Sequence, residues 1–142
     1  MIFRQTTIDD LLKISKLHQE IFKEDNQKWF SYQLNNELFK IYVVEDDELL
    51  GYISYQVIEG DADMLFFGVK PIYQNQQIGT KLLEYSIIEL KKNLVNKIAL
   101  EVRTSNTKAR KIYEKLGFKS MRIIKNYYAD SGEDGILYVW EG

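Results

Sequence analysis

Three short segments hold the residue types and spacings that could do chemistry. The first, Val69-Lys-Pro-Ile-Tyr-Gln-Asn-Gln-Gln-Ile-Gly-Thr80, follows an apolar run and precedes a helical pattern. Backbone N–H groups at a helix N-terminus have no intrahelical acceptor, and the helix dipole favours an anion there. Such a junction can hold a pyrophosphate without Lys or Arg, and Gly79 lets the backbone approach closely. An ordinary strand-to-helix connection has the same residue pattern.

The second segment is Leu100-Glu-Val-Arg-Thr-Ser-Asn106. Glu101 falls near the end of an expected central strand, where a carboxylate is costly unless paired or functional. Arg103 lies two residues on, on the same strand face, so an ion pair with Glu101 is the plain alternative. Asn106 opens the next helix and suits an N-cap. The third segment is Ala109-Arg-Lys-Ile-Tyr-Glu-Lys-Leu-Gly-Phe118. Tyr113 shares a helical face with Ala109, Ile112 and Leu116, so spacing alone leaves it between a core residue and a proton donor.

Composition limits the options. The 142 residues suffice for one domain, 1–142, and are too few for two ordinary ones. With 45% hydrophobic and 28% charged residues the chain reads as globular rather than disordered. A net charge of −2 and the lack of a basic stripe argue against nucleic acid. No cysteine is present, which excludes disulfides, thiolate nucleophiles and thiolate metal sites. The lone histidine, His18, lies on an apolar helical face and reads as partly buried, and no metal site is expected. The N-terminus has no signal-like apolar region, and no run is long enough to span a membrane. A reducing, cytoplasmic setting is expected.

The elements that must position these residues follow from periodicity. A strand is expected at Ile2–Thr6. A helix capped at Thr7, with Asp9 and Asp10 in its first turn, should run to about Phe22. A second helix is expected around Trp29–Phe39. Ile41–Val44 and Gly51–Ile58 read as a hairpin turning at Asp46-Asp47-Glu48. Met64–Val69 is a nearly continuous apolar run, the mark of a buried strand. Gly68 within it suggests a bulge or a ligand close to the backbone. Helix Ile78–Lys92, strand Lys97–Val102, a helix ended by Gly117, and strands around Phe118–Lys125 and Gly135–Trp140 complete the order. A helical crossover after the buried strand requires a parallel pair there. The fold class is therefore α/β: a mixed sheet of six to seven mostly antiparallel strands, a central parallel pair, and helices on both faces.

In this order and spacing, the segments resemble the GCN5-related N-acetyltransferase (GNAT) superfamily. Gln74-Asn-Gln-Gln77-Ile-Gly79 matches its Gln/Arg-x-x-Gly-x-Gly/Ala loop, except that Gln77 stands at the first glycine. Asn106 and Tyr113-Glu-Lys-Leu-Gly-Phe118 extend the match. Leu100–Asn106 with Asn126-Tyr-Tyr-Ala-Asp-Ser-Gly-Glu-Asp134 looks like the RimI-type enzymes, which acetylate protein N-termini. Phe22-Lys-Glu-Asp25 departs from the proline-containing pattern usual at the peptide-binding helix junction.

The resemblance implies the GNAT-like fold, acetyl-coenzyme A as acyl donor, and no metal. It implies that Phe67, Gly68 and Val69 meet the pantetheine arm. Asn75, Gln76, Gln77, Ile78, Gly79 and Thr80 would cradle the pyrophosphate, and Asn106 would contact the coenzyme. Glu101 would be the general base, Tyr113 the acid for the departing thiolate, and Tyr127 and Tyr128 would line the peptide entrance. The acceptor would be a protein N-terminus. A small amine such as a polyamine, amino acid or aminoglycoside is the alternative, and a non-catalytic acyl-coenzyme-binding module a further one. A monomer or dimer is expected, with neither nucleic acid nor membrane as partner. An α-amine suits such a site: with a pKa near 7.7–8.0, roughly a tenth is neutral at pH 7, against fewer than about one lysine in a thousand.

Overall fold

The computed structural model describes residues 1–142. The strands are β1 (Ile2–Gln5), β2 (Phe39–Asp46), β3 (Glu48–Ile58), β4 (Asp61–Val69), β5 (Lys97–Arg103), β6 (Lys119–Ile124) and β7 (Gly135–Glu141). The helices are α1 (Leu11–Phe22), α2 (Gln27–Leu34), α3 (Ile78–Lys92) and α4 (Thr107–Lys115). The seven strands form one sheet in the order β1-β2-β3-β4-β5-β7-β6. Only the β4–β5 pair is parallel, as the α3 crossover requires.

Several expected boundaries move. The second helix ends at Leu34, and Phe39 begins β2 rather than closing the helix. Phe39 pairs with Gln56 across the sheet and is buried there, so tertiary pairing overrides its helical spacing. The β2–β3 hairpin turns on Asp47 alone, at φ 62°, so both strands run longer than expected. Before α1, Ile8–Asp10 form a 3₁₀ turn, and the Asp10 carboxylate accepts the Thr7 N–H at 2.8 Å.

The sheet is packed on both faces. On one, Ile98, Leu100 and Val102 of β5 join Leu82, Leu83 and Ile87 of α3 and Tyr113 of α4 in the larger core. On the other, Ile14 and Leu17 of α1 and Phe30 of α2 pack on Ile41, Val43 and Tyr52. His18 belongs to this second layer and is fully buried, more so than its spacing suggested. Its ring edges approach Phe30 and Phe66, one nitrogen meets the Tyr52 hydroxyl, and the other lies 2.8 Å from Glu24.

Two irregularities of β4 shape the site. The register against β3 shifts between Ser54 and Tyr55, which leaves Leu65 as an extra residue in β4. Ala62 and Met64 therefore face the larger core before the bulge, and Phe67 and Val69 face it after. Pairing with β5 stops at Asp63↔Ala99. Beyond that point the two strands part, and a gap opens in the middle of the sheet.

Candidate active site

The gap is bordered by the loop that leads from β4 into α3. Asn75 and Gln77 both take left-handed backbone conformations, φ 64° and 63°. The first intrahelical bond of α3 runs from the Lys81 N–H to the Gln77 carbonyl at 3.1 Å. The backbone N–H groups from Asn75 to Thr80 find no acceptor within the protein. A run of free N–H groups at the start of a 15-residue helix is an anion-binding arrangement. The Gln74 amide donates to the Val69 carbonyl at 3.0 Å and ties this loop to the end of β4.

A cavity of about 670 Å³ opens between this loop, β4 and α4. Phe67, Gly68, Val69, Asn75, Gln77, Ile78, Gly79, Thr80, Asn106 and Tyr113 all line it. Gln76 does not. Its backbone N–H nevertheless belongs to the row of free donors from Asn75 to Thr80. Along β4 the Lys70 N–H bonds the Leu50 carbonyl at 2.8 Å. Since donors alternate along an antiparallel ladder, the N–H groups of Phe67 and Val69 turn away from β3, toward the gap.

Gly68 is also hemmed in from the face opposite the cavity. A Cβ there would stand 2.9 Å from Ile21 Cγ2 and 3.2 Å from Phe22 Cζ. The close approach is made by α1 on the opposite face, while the bulge sits at Leu65. Gly79 has room: a Cβ would meet Phe67 and Val69 at ordinary contact distances of 3.4 and 3.6 Å. Sequence reasoning missed Tyr73, Gln74, Thr107, Lys108 and Lys111 on the cavity wall. Lys108 and Lys111 are three residues apart on one helical face beside Asn106, a spacing that could have revealed a cationic rim.

Asn106 caps α4, its side chain accepting the Ala109 N–H at 3.2 Å, and lines the cavity as well. Tyr113 is packed among Phe67, Phe118 and Tyr138. Its hydroxyl has one polar neighbour, Met64 Sδ at 3.9 Å. Burial pushes the phenol well above the ordinary tyrosine range, so it keeps its proton at neutral pH.

Glu101 occupies the other face of the sheet. Leu100 and Val102 point into the larger core, so alternation turns Glu101 and Arg103 away from it. Asp63, between Ala62 and Met64, shares that face. Glu101 is exposed at its tip, yet its surroundings strip part of its hydration, and the charge of Asp63 adds to this; both raise its carboxyl pKa, desolvation more.

The alternative reading of a Glu101–Arg103 ion pair finds no such pair in the structure. Arg103 reaches the β6–β7 loop instead. Its guanidinium donates to Asp130 at 2.8 Å and to Ser131 at 3.2 Å, and lies 4.1 Å over the Tyr128 ring. Tyr127 stands edge-on to Tyr128, ring centres 5.0 Å apart. Tyr127 rests on Gly135, where a Cβ would lie 3.1 Å from its ring. Gly135 pairs with Arg103 across the sheet, so both tyrosines stand on the face that carries Glu101.

No three His, Asp or Glu side chains come together as a metal site would need. No helix is long and apolar enough to cross a membrane.

Comparison with known proteins identifies this arrangement. A sequence model described as the acetyltransferase (GNAT) family matches residues 7–118. The chain is 34% identical over 114 residues to the [ribosomal protein bS18]-alanine N-acetyltransferase of Escherichia coli K12, covering 79% of this chain and 77% of that one. It is 31% identical over a 149-residue alignment to the N-alpha-acetyltransferase of Sulfurisphaera tokodaii, covering 94% and 87%. The crystal structure of the ribosomal-protein-S18-alanine N-acetyltransferase from Escherichia coli superposes with a TM-score of 0.86 at 29% identity, covering 99% of this chain and 94% of that one. A family model over residues 7–118 and relatives above 30% identity over most of the chain show that this chain belongs to the acetyltransferase (GNAT) family.

Proposed function

We propose that this chain transfers the acetyl group of acetyl-coenzyme A to the N-terminal α-amine of a protein or peptide. The observation that carries this reading is the gap between β4 and β5. A donor-lined cavity borders β4 on one face, and a carboxylate and two tyrosines stand on the other. The relatives named for N-terminal acetylation support it.

Acetyl-coenzyme A supplies the activated acetyl thioester. The residues fit it: free N–H groups from Asn75 to Thr80 suit a pyrophosphate, and those of Phe67 and Val69 suit the amides of the pantetheine arm. Lys108 and Lys111 add positive charge at the rim. Glu101 takes a proton from the incoming amine, directly or through one water, as the new C–N bond forms. Tyr113 gives its proton to the sulfur as the C–S bond breaks, on a thiolate whose pKa, near that of cysteine at about 8.5, asks for only mild acid help. Tyr127 and Tyr128 hold the peptide through ring faces and hydroxyl tips. One catalytic unit over 1–142, working in the cytoplasm, completes the reading.

The test is a comparison of acceptors with acetyl-coenzyme A as donor. A peptide with free N-terminal Ala, Ser or Thr should be acetylated on its α-amine. The same peptide blocked at its N-terminus and carrying an internal Lys should react far more slowly. A higher kcat/KM for spermidine or an aminoglycoside would overturn the protein acceptor and leave the family chemistry intact.

A further inference from the structure

The β6–β7 loop is bound to the β5–α4 turn by more bonds than a surface loop needs. Glu133 lies at the centre. One of its carboxylate oxygens accepts the Ser105 N–H at 2.7 Å and the Thr104 hydroxyl at 3.1 Å; the other lies 3.6 Å from Arg103. Its backbone carbonyl accepts the Tyr128 N–H at 3.1 Å. The Asp134 carbonyl accepts the Thr104 N–H at 3.2 Å, and its carboxylate accepts the Asn126 N–H at 2.9 Å. Arg103 completes the set by holding Asp130 and Ser131 and covering the Tyr128 ring.

Two of these contacts fall on Tyr128 itself, the Arg103 guanidinium over its ring and the Glu133 carbonyl on its N–H, and Tyr127 stands edge-on to it. A guanidinium above a ring, forked between the Asp130 carboxylate and the Ser131 hydroxyl, fixes that ring's orientation as well as its position. Neither Arg103 nor Glu133 lines the cavity expected for the coenzyme. Both hold the wall opposite it.

We propose that Arg103 and Glu133 are positioning residues for the acceptor: together they seat Tyr128, and through it Tyr127, so that they set peptide recognition without setting coenzyme recognition. This rests on the N-terminal acetyltransferase reading above. A lysine at 103 keeps the charge but loses the fork and most of the stacking, so charge alone should not restore the site.

The experiment measures KM for an N-terminal Ala peptide and for acetyl-coenzyme A, with melting temperature, in wild type, Arg103→Lys, Arg103→Met and Glu133→Gln. Peptide KM should rise about tenfold or more in Arg103→Met and nearly as much in Arg103→Lys. Coenzyme KM should stay within about twofold. Glu133→Gln, which keeps one oxygen acceptor for Ser105, should give a smaller rise of the same kind. It carries the test if an Arg103 variant does not fold. Unchanged peptide KM in folded variants would overturn the proposal. So would parallel rises in both KM values with a fallen melting temperature, the mark of a merely structural role. A wild type that acetylates no peptide α-amine would instead overturn the functional reading beneath it.

Discussion

Glu101 and Tyr113 stand on opposite faces of the sheet, on either side of the gap where β4 and β5 part. The proposed base and acid therefore never compete for one proton. In the proposed reaction Glu101 would serve the incoming amine and Tyr113 the departing sulfur.

Tyr113→Phe separates the two readings of this residue. The hydroxyl has only a distant sulfur as polar neighbour, so its loss should leave the melting temperature within a few degrees. Turnover should fall by about 10²-fold or more if the hydroxyl is the acid. Steady-state kinetics with a thermal melt decide it, and wild-type turnover would return Tyr113 to the core.

Glu101 makes a pH prediction. Its carboxyl pKa in the fold lies above the ordinary 4.5, so the folded state holds this proton more tightly than the unfolded chain. Stability from this group is present below the unfolded pKa and declines as pH rises through the folded one. Glu101→Gln should thus keep or slightly raise the melting temperature at pH 7, while turnover falls by about 10²-fold. Asp63→Asn removes the like charge and should lower the Glu101 midpoint in a carboxyl-carbon NMR titration. Part of the rise should persist, since desolvation is its larger cause.

Gln77 occupies a left-handed position that glycine adopts without penalty. Gln77→Gly should stabilise the protein by up to about 1 kcal/mol, the relieved strain being partly offset by a looser unfolded chain. Acetyl-coenzyme A should still raise the melting temperature, with a KM no higher than in wild type. Gly79→Glu should abolish that rise, because its side chain would start against Phe67 and Val69 on the cavity wall and carry a negative charge toward the pyrophosphate.

Tyr128→Ala should raise the peptide KM more than the coenzyme KM. A stopped assay with each substrate varied in turn measures both, and untouched peptide kinetics would remove the β6–β7 loop from the acceptor site.

Arg4 and Asp10 give a second, unrelated pH effect. The guanidinium forks to the buried Asp10 carboxylate at 2.8 and 2.9 Å and holds its pKa below the usual aspartate value. That stability is present above the unfolded pKa of about 4 and is lost as pH falls through the lower folded value. Arg4→Met should cost about 2 kcal/mol in urea unfolding at pH 7, since it strands a buried charge at a partly exposed pair.

The sequence by itself determined the order of elements, the single parallel pair, the helix start at Ile78, the Asn106 cap and the three segments that meet at the gap. These depend on apolar periodicity, caps and crossover rules, which act between residues a few positions apart. Only the tertiary structure decided how the site is divided. The bulge at Leu65 reverses which β4 residues face the larger core, and Gly68, the residue that hinted at a bulge, lies three positions away from it. Gly68 has no room for a side chain because α1 lies against it, a contact only the tertiary structure reveals. The Gln77 conformation is imposed by the turn into α3 and is not one its side chain favours. Arg103 passes over the carboxylate two residues away for partners in the β6–β7 loop. That choice needs β7 to sit beside β5, because sheet order, not spacing along the chain, brings those charges within reach.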